Sequence, residues 1–181
     1  MDRINEDDID CFLLQMEQVF AALPEREKRQ EDWRHFSGFT MWIPAAFHLA
    51  DRETAEEIFW SENLPDKVFL TEGNTAGITL QEIEGVNEAD PVADIRKLLE
   101  KSDDRTVCYD AGEEGDRPKV HWLEYKSFAA DGRVYNVLFA FQAGKDWILG
   151  TFYCPFEDYG QWKPTVWEIM RTIKEDMDEG I

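Results

Sequence analysis

The sequence predicts an α+β fold, a three-layer α/β/α sandwich with a mainly antiparallel sheet and an extra N-terminal helix. Strand-like segments between residues 106 and 154 follow one another through short turns, which favours antiparallel pairing. The segment 134–141 is apolar on both of its alternating faces, so it needs a cover on each side. Helical segments with single apolar stripes can supply those two covers.

Composition places the chain among globular proteins and sets its charge. Its 181 residues suffice for one domain with a substantial core, and 43% of them are hydrophobic. The 39 acidic residues outnumber the 19 basic ones and give a net charge of −20. Nucleic acid and anionic membrane surfaces are therefore expected to repel the protein. A basic protein partner fits this charge, and a role in solubility alone also explains it.

Cysteine usage and the first residues indicate the compartment. The chain has three cysteines and no CxxC pair, which favours a reducing environment. Its first residues are acidic where a secretion signal carries basic ones, and no apolar run approaches the roughly 20 residues of a membrane span. We therefore expect a cytoplasmic protein.

The first element is an amphipathic helix. Asn5 is the expected N-cap, and acids at 6–8 occupy the first turn, where the positive end of the helix dipole favours them. Apolar side chains recur at three- and four-residue steps in one stripe: Ile9, Phe12, Leu13, Met16, Val19, Phe20 and Leu23. We expect this stripe to pack on its own domain, with a partner helix as the alternative.

The next segments predict a strand, a short helix and a hairpin. The aromatic run 38–47, closed by Pro44, is the first strand, and 51–60 is a helix. Two β-prone runs flank Gly73 and Asn74, which tolerate positive φ, and these runs therefore form a hairpin.

A capped helix comes next. Asp90 and Pro91 are a typical N-cap and first helical residue. The face that we expect to be buried consists of Val92, Ile95, Leu98 and Leu99. In the meander that follows, one face of 119–126 mixes Trp122 with Glu124 and Lys126, which predicts a strand near the edge of the sheet.

The stretch 148–173 predicts a strand, a corner and a helix. Pro155 ends the strand, and the helix is expected to begin near Lys163 because Pro164 fits best in a first turn. One strand face consists of Ile148, Gly150, Phe152 and Cys154, and the apolar face of the helix consists of Trp162, Val166, Ile169, Met170, Ile173 and Met177.

Cys154 could be either a reactive thiol or a buried corner residue. In the strand pattern it occupies the place of a small hydrophobic residue. The carboxylates of Glu157 and Asp158 would raise the pKa of its thiol, and the three histidines lie in other segments. We predict a structural role, and a thiol-dependent enzyme using Cys154 is the least favoured reading.

Motifs for other chemistry are missing from the sequence. There is no Cys/His cluster with zinc spacing, no HExxH, no glycine-rich phosphate loop and no GxSxG. We expect no catalytic residues, no metal, no cofactor and no enzymatic activity.

Aromatic residues are the remaining binding candidates. The chain has seven tryptophans, most of which should be in the core. One or two aromatic side chains left exposed would mark a protein-binding surface. The candidates beside the first strand and the last corner are Trp33, Trp42, Tyr159 and Trp162.

Three stretches of the chain are similar to a known superfamily. They are the strand "GFTMWIP", the lead-in "SENLPDKVF" to a hairpin, and the last strand, which runs through "YCPFEDYG" into a helix. Over about residues 36 to 176 the chain resembles the PsbP-like superfamily, which includes DcrB-like bacterial proteins and the yeast import factor that binds the Ran GTPase. The resemblance implies a sandwich fold without a catalytic signature. It also implies a role as adaptor, assembly factor or chaperone, including chaperones for type VI secretion effectors.

The expected organisation is an N-terminal helix and polar extension over 1–35, packed on a PsbP-like domain over 36–181. The expected function is that of a non-enzymatic cytoplasmic protein-binding, adaptor or chaperone-like domain. The alternative is a protein that binds a small apolar ligand in a pocket between the meander and the N-terminal helix. The sequence does not indicate an oligomeric state.

Overall fold

The computed structural model describes residues 5–20, 28–59, 63–84, 90–130 and 132–176. Besides the helices and strands, the described chain has three short 3-10 turns at 30–32, 72–74 and 156–158. The elements are α1 (Glu6–Phe20), β1 (Trp33–Phe36), β2 (Phe39–Trp42), β3 (Phe47–Leu49), α2 (Arg52–Phe59), β4 (Lys67–Thr71), β5 (Gly77–Ile83), α3 (Pro91–Ser102), β6 (Val107–Glu114), β7 (Val120–Ala129), β8 (Gly132–Ala143), β9 (Asp146–Pro155), α4 (Tyr159–Thr172) and β10 (Lys174–Glu175).

Seven of the described strands form one antiparallel sheet, in the order β3-β4-β5-β9-β8-β7-β6. The predicted hairpin is confirmed, since β4 pairs with β5 and the residues at its tip, Gly73 and Asn74, have φ values of 74° and 57°. The predicted meander is also confirmed, because β6 to β9 pair in succession. The edge strand β6 has a register shift between Cys108 and Ala111, and the other edge strand, β3, was not predicted.

Helices cover both faces of this sheet, as the sequence predicts. On the α1/α4 face, Leu14 of α1 and Trp167 of α4 join one core cluster with Phe139 and Phe152 of the sheet. On the α2/α3 face, α2 packs on β4, and α3 packs on β7 and β8. The sandwich therefore has three layers. Beside α2, part of the α2/α3 face forms a groove, so the described helices do not cover that side completely.

A second, smaller sheet of order β1-β2-β10 was not expected. The strand predicted at 38–47 exists as β2, but it pairs on both sides within this small sheet and not in the main one. Thr172 at the end of α4 accepts a hydrogen bond from the Trp42 amide, and the Phe39 ring lies 4.9 Å from that of Phe141. The small sheet thus belongs to the α1/α4 layer, and β1 crosses the domain boundary expected at residue 36.

Two helices differ in detail from their predictions. The Asp90 cap is confirmed, because its carboxylate accepts from the amides of Val92 and Ala93, but Leu98 is 66% exposed and does not belong to the buried face. Helix α4 begins at Tyr159, four residues before Lys163 and with Pro164 inside it.

Tertiary contacts explain the early start of α4. The Tyr159 ring lies 5.7 Å from that of Tyr135 on β8, and the Trp162 ring lies 5.2 Å from that of Phe47 on β3. Burial of these two aromatic side chains stabilises a first turn that the proline alone disfavours.

A buried charge cluster joins the helices of the α1/α4 layer to the sheet. Lys163 of α4 is 0% exposed, and its ammonium lies 2.6 Å from the carboxylate of Glu124 on β7. The Tyr135 hydroxyl donates to the same carboxylate at 2.6 Å, and Lys163 donates to the Leu14 carbonyl of α1 at 2.8 Å. Burial raises the pKa of Glu124, and the charge of Lys163 opposes that rise.

The sequence placed Glu124 and Lys126 on a strand near the sheet edge. β7 does lie next to the edge strand β6, but both side chains are buried because α1 and α4 cover them. Alternation along a strand shows that two side chains share a face, and it does not show what covers that face.

We predict that Lys163→Met lowers the free energy of unfolding by about 3–5 kcal/mol, because it leaves the Glu124 carboxylate buried without its cation. A carboxyl whose folded pKa exceeds its unfolded pKa stabilises less as pH rises, so the stability of the variant should fall as pH rises above the ordinary glutamate pKa of 4.5. Urea denaturation followed by tryptophan fluorescence measures both effects.

Two further variants serve as controls for this prediction. Lys163→Met/Glu124→Gln should recover at least half of the lost free energy of unfolding, since neither position then carries a buried charge. Arg96→Met, which breaks the exposed Arg96–Glu100 pair, should cost less than about 1 kcal/mol. If Lys163→Met lowers the free energy of unfolding as little as Arg96→Met does, the buried pair is not required for stability.

Candidate functional site

Helix α1 contacts the sheet through its acidic side, and not through the whole of the apolar stripe that was expected to pack. Asn5 caps the helix. Its side-chain oxygen accepts from the Asp8 backbone amide at 2.9 Å, and its backbone amide donates to the Asp8 carboxylate. Lys126 of β7 donates to Asp7 at 2.6 Å and to Asp10 at 3.4 Å. Arg133 of β8 pairs with Glu6.

The apolar side chains at the start of α1 face solvent. Ile9 is 50% exposed, Phe12 60% and Leu13 43%, whereas Leu14 and Asp10 face the sheet. The prediction that this stripe packs on its own domain is wrong for these three residues, which we call the outward face of α1. The other members of the predicted stripe, the side chains of Met16, Val19 and Phe20 together with Leu23, lie outside the described residues.

The orientation of α1 has an electrostatic cause. Asp7 and Asp10 meet Lys126 and Arg133, which come from strands more than 100 residues further along the chain. An unpaired Lys126 at 4% exposure would be costly, so the carboxylates of α1 turn towards the sheet. The three apolar residues then lie on the opposite side at spacings of i, i+3 and i+4, which is the pattern of a helix–helix contact.

The four aromatic candidates from the sequence do not form one surface. Trp42 is 4% exposed, so it has almost no surface to offer a partner. Trp33, Tyr159 and Trp162 are half-buried and pack against the main core cluster. A binding role for these three stays a prediction. Ile9, Phe12 and Leu13 of α1 are better exposed, and they belong to the stripe for which the sequence left contact with a partner helix as the alternative.

Cys154 is a buried corner residue. It is 0% exposed and lies opposite Tyr135 in the β8–β9 pairing, and β9 ends at the following residue, Pro155. Burial, reinforced by the carboxylates of Asp158 and Glu157, raises the pKa of the thiol to about 12. A thiol with that pKa is almost entirely protonated near neutral pH and is a poor nucleophile.

The described part of the contact between the meander and α1 is closely packed, and a pocket there stays a prediction. The space holds Leu14, Lys163, Glu124 and Tyr135, each of which is at most 1% exposed. A groove lies on the α2/α3 face, at the ends of β8 and β9. Among the described residues, no group of three or more His, Cys, Asp or Glu side chains could hold a metal ion, and no helix is long and apolar enough to cross a membrane.

Iodoacetamide labelling of the native protein at about pH 7 should leave Cys154 unmodified, because its thiol is buried and protonated. The half-buried Cys11 and Cys108 provide an internal comparison, and all three should react in urea. Peptide mass spectrometry measures the modified fraction of each. Native labelling of Cys154 as fast as that of Cys11 would revive the thiol-enzyme alternative.

Two buried tyrosine hydroxyls should respond oppositely to removal. The Tyr153 hydroxyl is buried and has no hydrogen-bond partner among the described residues, so Tyr153→Phe should leave the free energy of unfolding unchanged or raise it by up to about 1 kcal/mol. Tyr135→Phe removes the hydroxyl that donates to Glu124 and should lower the free energy of unfolding by about 1–3 kcal/mol. Chemical denaturation of both variants tests the pair, and a larger loss in Tyr153→Phe would contradict it.

Comparison with known proteins finds a shared fold. No protein-family model matches the chain, and no curated protein matches it by sequence. The solution structure of the cyanobacterial PsbP protein, CyanoP, from Synechocystis sp. PCC 6803 is similar, with a TM-score of 0.60 and 10% identity over 86% of this chain and 99% of that one.

Two crystal structures are similar at a lower level. One is a protein from Bacteroides thetaiotaomicron VPI-5482, with 13% identity, 80% of this chain and 47% of that one covered, and a TM-score of 0.46. The other is a protein of unknown function from Pseudomonas aeruginosa, with 10% identity, 77% and 92% covered, and a TM-score of 0.46. The assignment rests on CyanoP, and with it the chain has a PsbP-like α+β fold.

Proposed function

We propose that this protein is a non-enzymatic binding protein of the cytoplasm that holds an amphipathic, basic segment of a partner protein on the outward face of α1. The observation that carries the proposal is the exposure of Ile9, Phe12 and Leu13 on a helix that is fixed to its domain by the opposite side. Apolar side chains grouped on one exposed helix face mark interaction surfaces more often than scattered ones do.

The charge around this face supports a basic partner. Asp8 is exposed beside the three apolar residues, and Glu6 and Asp7 keep much of their surface exposed although they pair with the sheet. The whole chain carries a net charge of −20. A partner helix with an apolar stripe and flanking lysines or arginines would match both the shape and the sign of this surface.

The sequence resemblance supports a binding role of this kind. We propose that the chain belongs with the DcrB-like proteins and the yeast Ran-binding import factor inside the PsbP-like superfamily, on the strength of "GFTMWIP" and "SENLPDKVF". Adaptors, assembly factors and chaperones in that superfamily act by presenting a surface, and an outward apolar helix face is such a surface.

The test uses a fluorescent amphipathic peptide of about 18 residues built from leucine and lysine, long enough for five helical turns. The protein should bind it, and Phe12→Ser/Leu13→Ser should raise the Kd at least about tenfold because the apolar contact is lost. Raising the salt from about 50 to about 500 mM should weaken binding by the wild-type protein. Fluorescence anisotropy gives the Kd values.

Leu98→Ser is the control, since it removes a leucine of α3 that is more exposed than Phe12 or Leu13 and should leave the Kd unchanged. The melting temperature of the α1 double variant should equal that of the wild type. Equal binding of a leucine–glutamate peptide, or undiminished binding by the double variant, would reject the proposal. Sedimentation of the wild type but not of the double variant with phosphatidylcholine vesicles would identify a membrane as the partner and also reject it.

A further inference from the structure

The groove on the α2/α3 face lies where neither helix covers the sheet. Helix α2 packs on Val68 and Leu70 of β4, and α3 packs on Leu123, Leu138 and Ala140 of β7 and β8. The uncovered strand ends between these two contacts border a volume of about 920 Å³. Small-molecule sites commonly have volumes of about 300–1,000 Å³.

The floor of the groove carries hydroxyl groups. Thr79 lies opposite Thr151 in the β5–β9 pairing, and Ser127 lies opposite Val134 in the β7–β8 pairing. The Ser127 hydroxyl oxygen accepts from the Asn136 amide group at 2.9 Å, which leaves its proton for another acceptor. Within the described ranges, no acceptor takes the hydroxyl protons of Thr79, Thr151 or Ser127.

The walls of the groove are apolar. Ile58 and Phe59 of α2 form one side, and the Tyr153 ring lies 6.2 Å from that of Phe59. Gly77 allows this placement, because a Cβ at that position would come within 2.5 Å of the Tyr153 ring. The sheet thus carries a large aromatic side chain laid across a neighbouring strand, beside hydroxyl groups that could bind oxygen atoms.

Charge is balanced at the end of the groove. Arg133 and Glu157 border it there and pair with each other at 3.1 Å, and Arg133 also pairs with Glu6 and Asp10. The guanidinium is therefore already compensated, and the carboxylate of Glu157 is occupied. The described lining of the groove therefore has no uncompensated charge that would attract a charged ligand. The net charge of −20 on the chain also repels anions.

We propose that this groove binds an uncharged amphiphile. Its apolar body would lie against Ile58, Phe59 and the Tyr153 ring, and its carbonyl, ester or hydroxyl oxygens would accept from Thr79, Thr151 and Ser127. The site is on the opposite side of the sheet from the outward face of α1. It can therefore fail or succeed independently of the proposed function.

The test is displacement of the uncharged dye N-phenyl-1-naphthylamine by 1-monolaurin or by laurate, both below their micellar concentrations. These two competitors share one acyl chain and differ in charge. The dye should bind one molecule per chain, monolaurin should displace it, and laurate should be at least about tenfold weaker. Absence of dye binding, or equal displacement by laurate, would overturn the proposal.

Four variants locate the binding. Thr151→Trp fills the groove and should weaken dye binding at least about tenfold, while Leu98→Trp, the matched control on exposed α3, should not. Thr79→Val/Thr151→Val keeps the shape of the groove but removes two hydroxyl groups. It should weaken monolaurin binding by about tenfold without changing the affinity for the dye, because the dye has no oxygen atom to accept from them. Dye binding that survives in Thr151→Trp but is lost in Phe12→Ser/Leu13→Ser would place the site on α1 and overturn the proposal.

Discussion

The contact between Lys163, Glu124 and Tyr135 determines how the α1/α4 layer sits on the sheet. The Lys163 ammonium of α4 contacts the Glu124 carboxylate of β7 and the Leu14 carbonyl of α1, and the Tyr135 hydroxyl of β8 donates to the same carboxylate. This one cluster therefore holds two helices against two strands. A buried charge leaves little choice of geometry, because any shift of α1 or α4 would leave a polar atom without a partner. Apolar packing alone would tolerate several arrangements.

The exposed surface of α1 follows from this arrangement. With Leu14 held over Lys163, and with Asp7 and Asp10 held by Lys126, the helix cannot rotate to bury Ile9 or Phe12. The outward face of α1 is thus kept in solvent by polar contacts on the other side of the same helix. The groove has a different origin, since it lies on the other face of the sheet, where α2 and α3 pack on different strands.

Local signals account for what the sequence predicts well. The Asp90–Pro91 helix start, the turn at Gly73 and Asn74, and the inward position of Cys154 each depend on residues a few places apart. The orientation of α1 depends on Lys126 and Arg133, which are remote in the chain, so periodicity alone points its apolar stripe the wrong way. The small sheet was missed because the short strands β1 and β10 carry no clear alternation.

The two borders of the main sheet restrict how this protein can associate. At one border β3 is three residues long, and at the other β6 is interrupted by its register shift and carries Asp110, Glu113 and Glu114. Short, kinked or charged outer strands are poor templates for an incoming strand. Strand addition at either border of the main sheet, and stacking of copies into a continuous sheet through those borders, are therefore disfavoured.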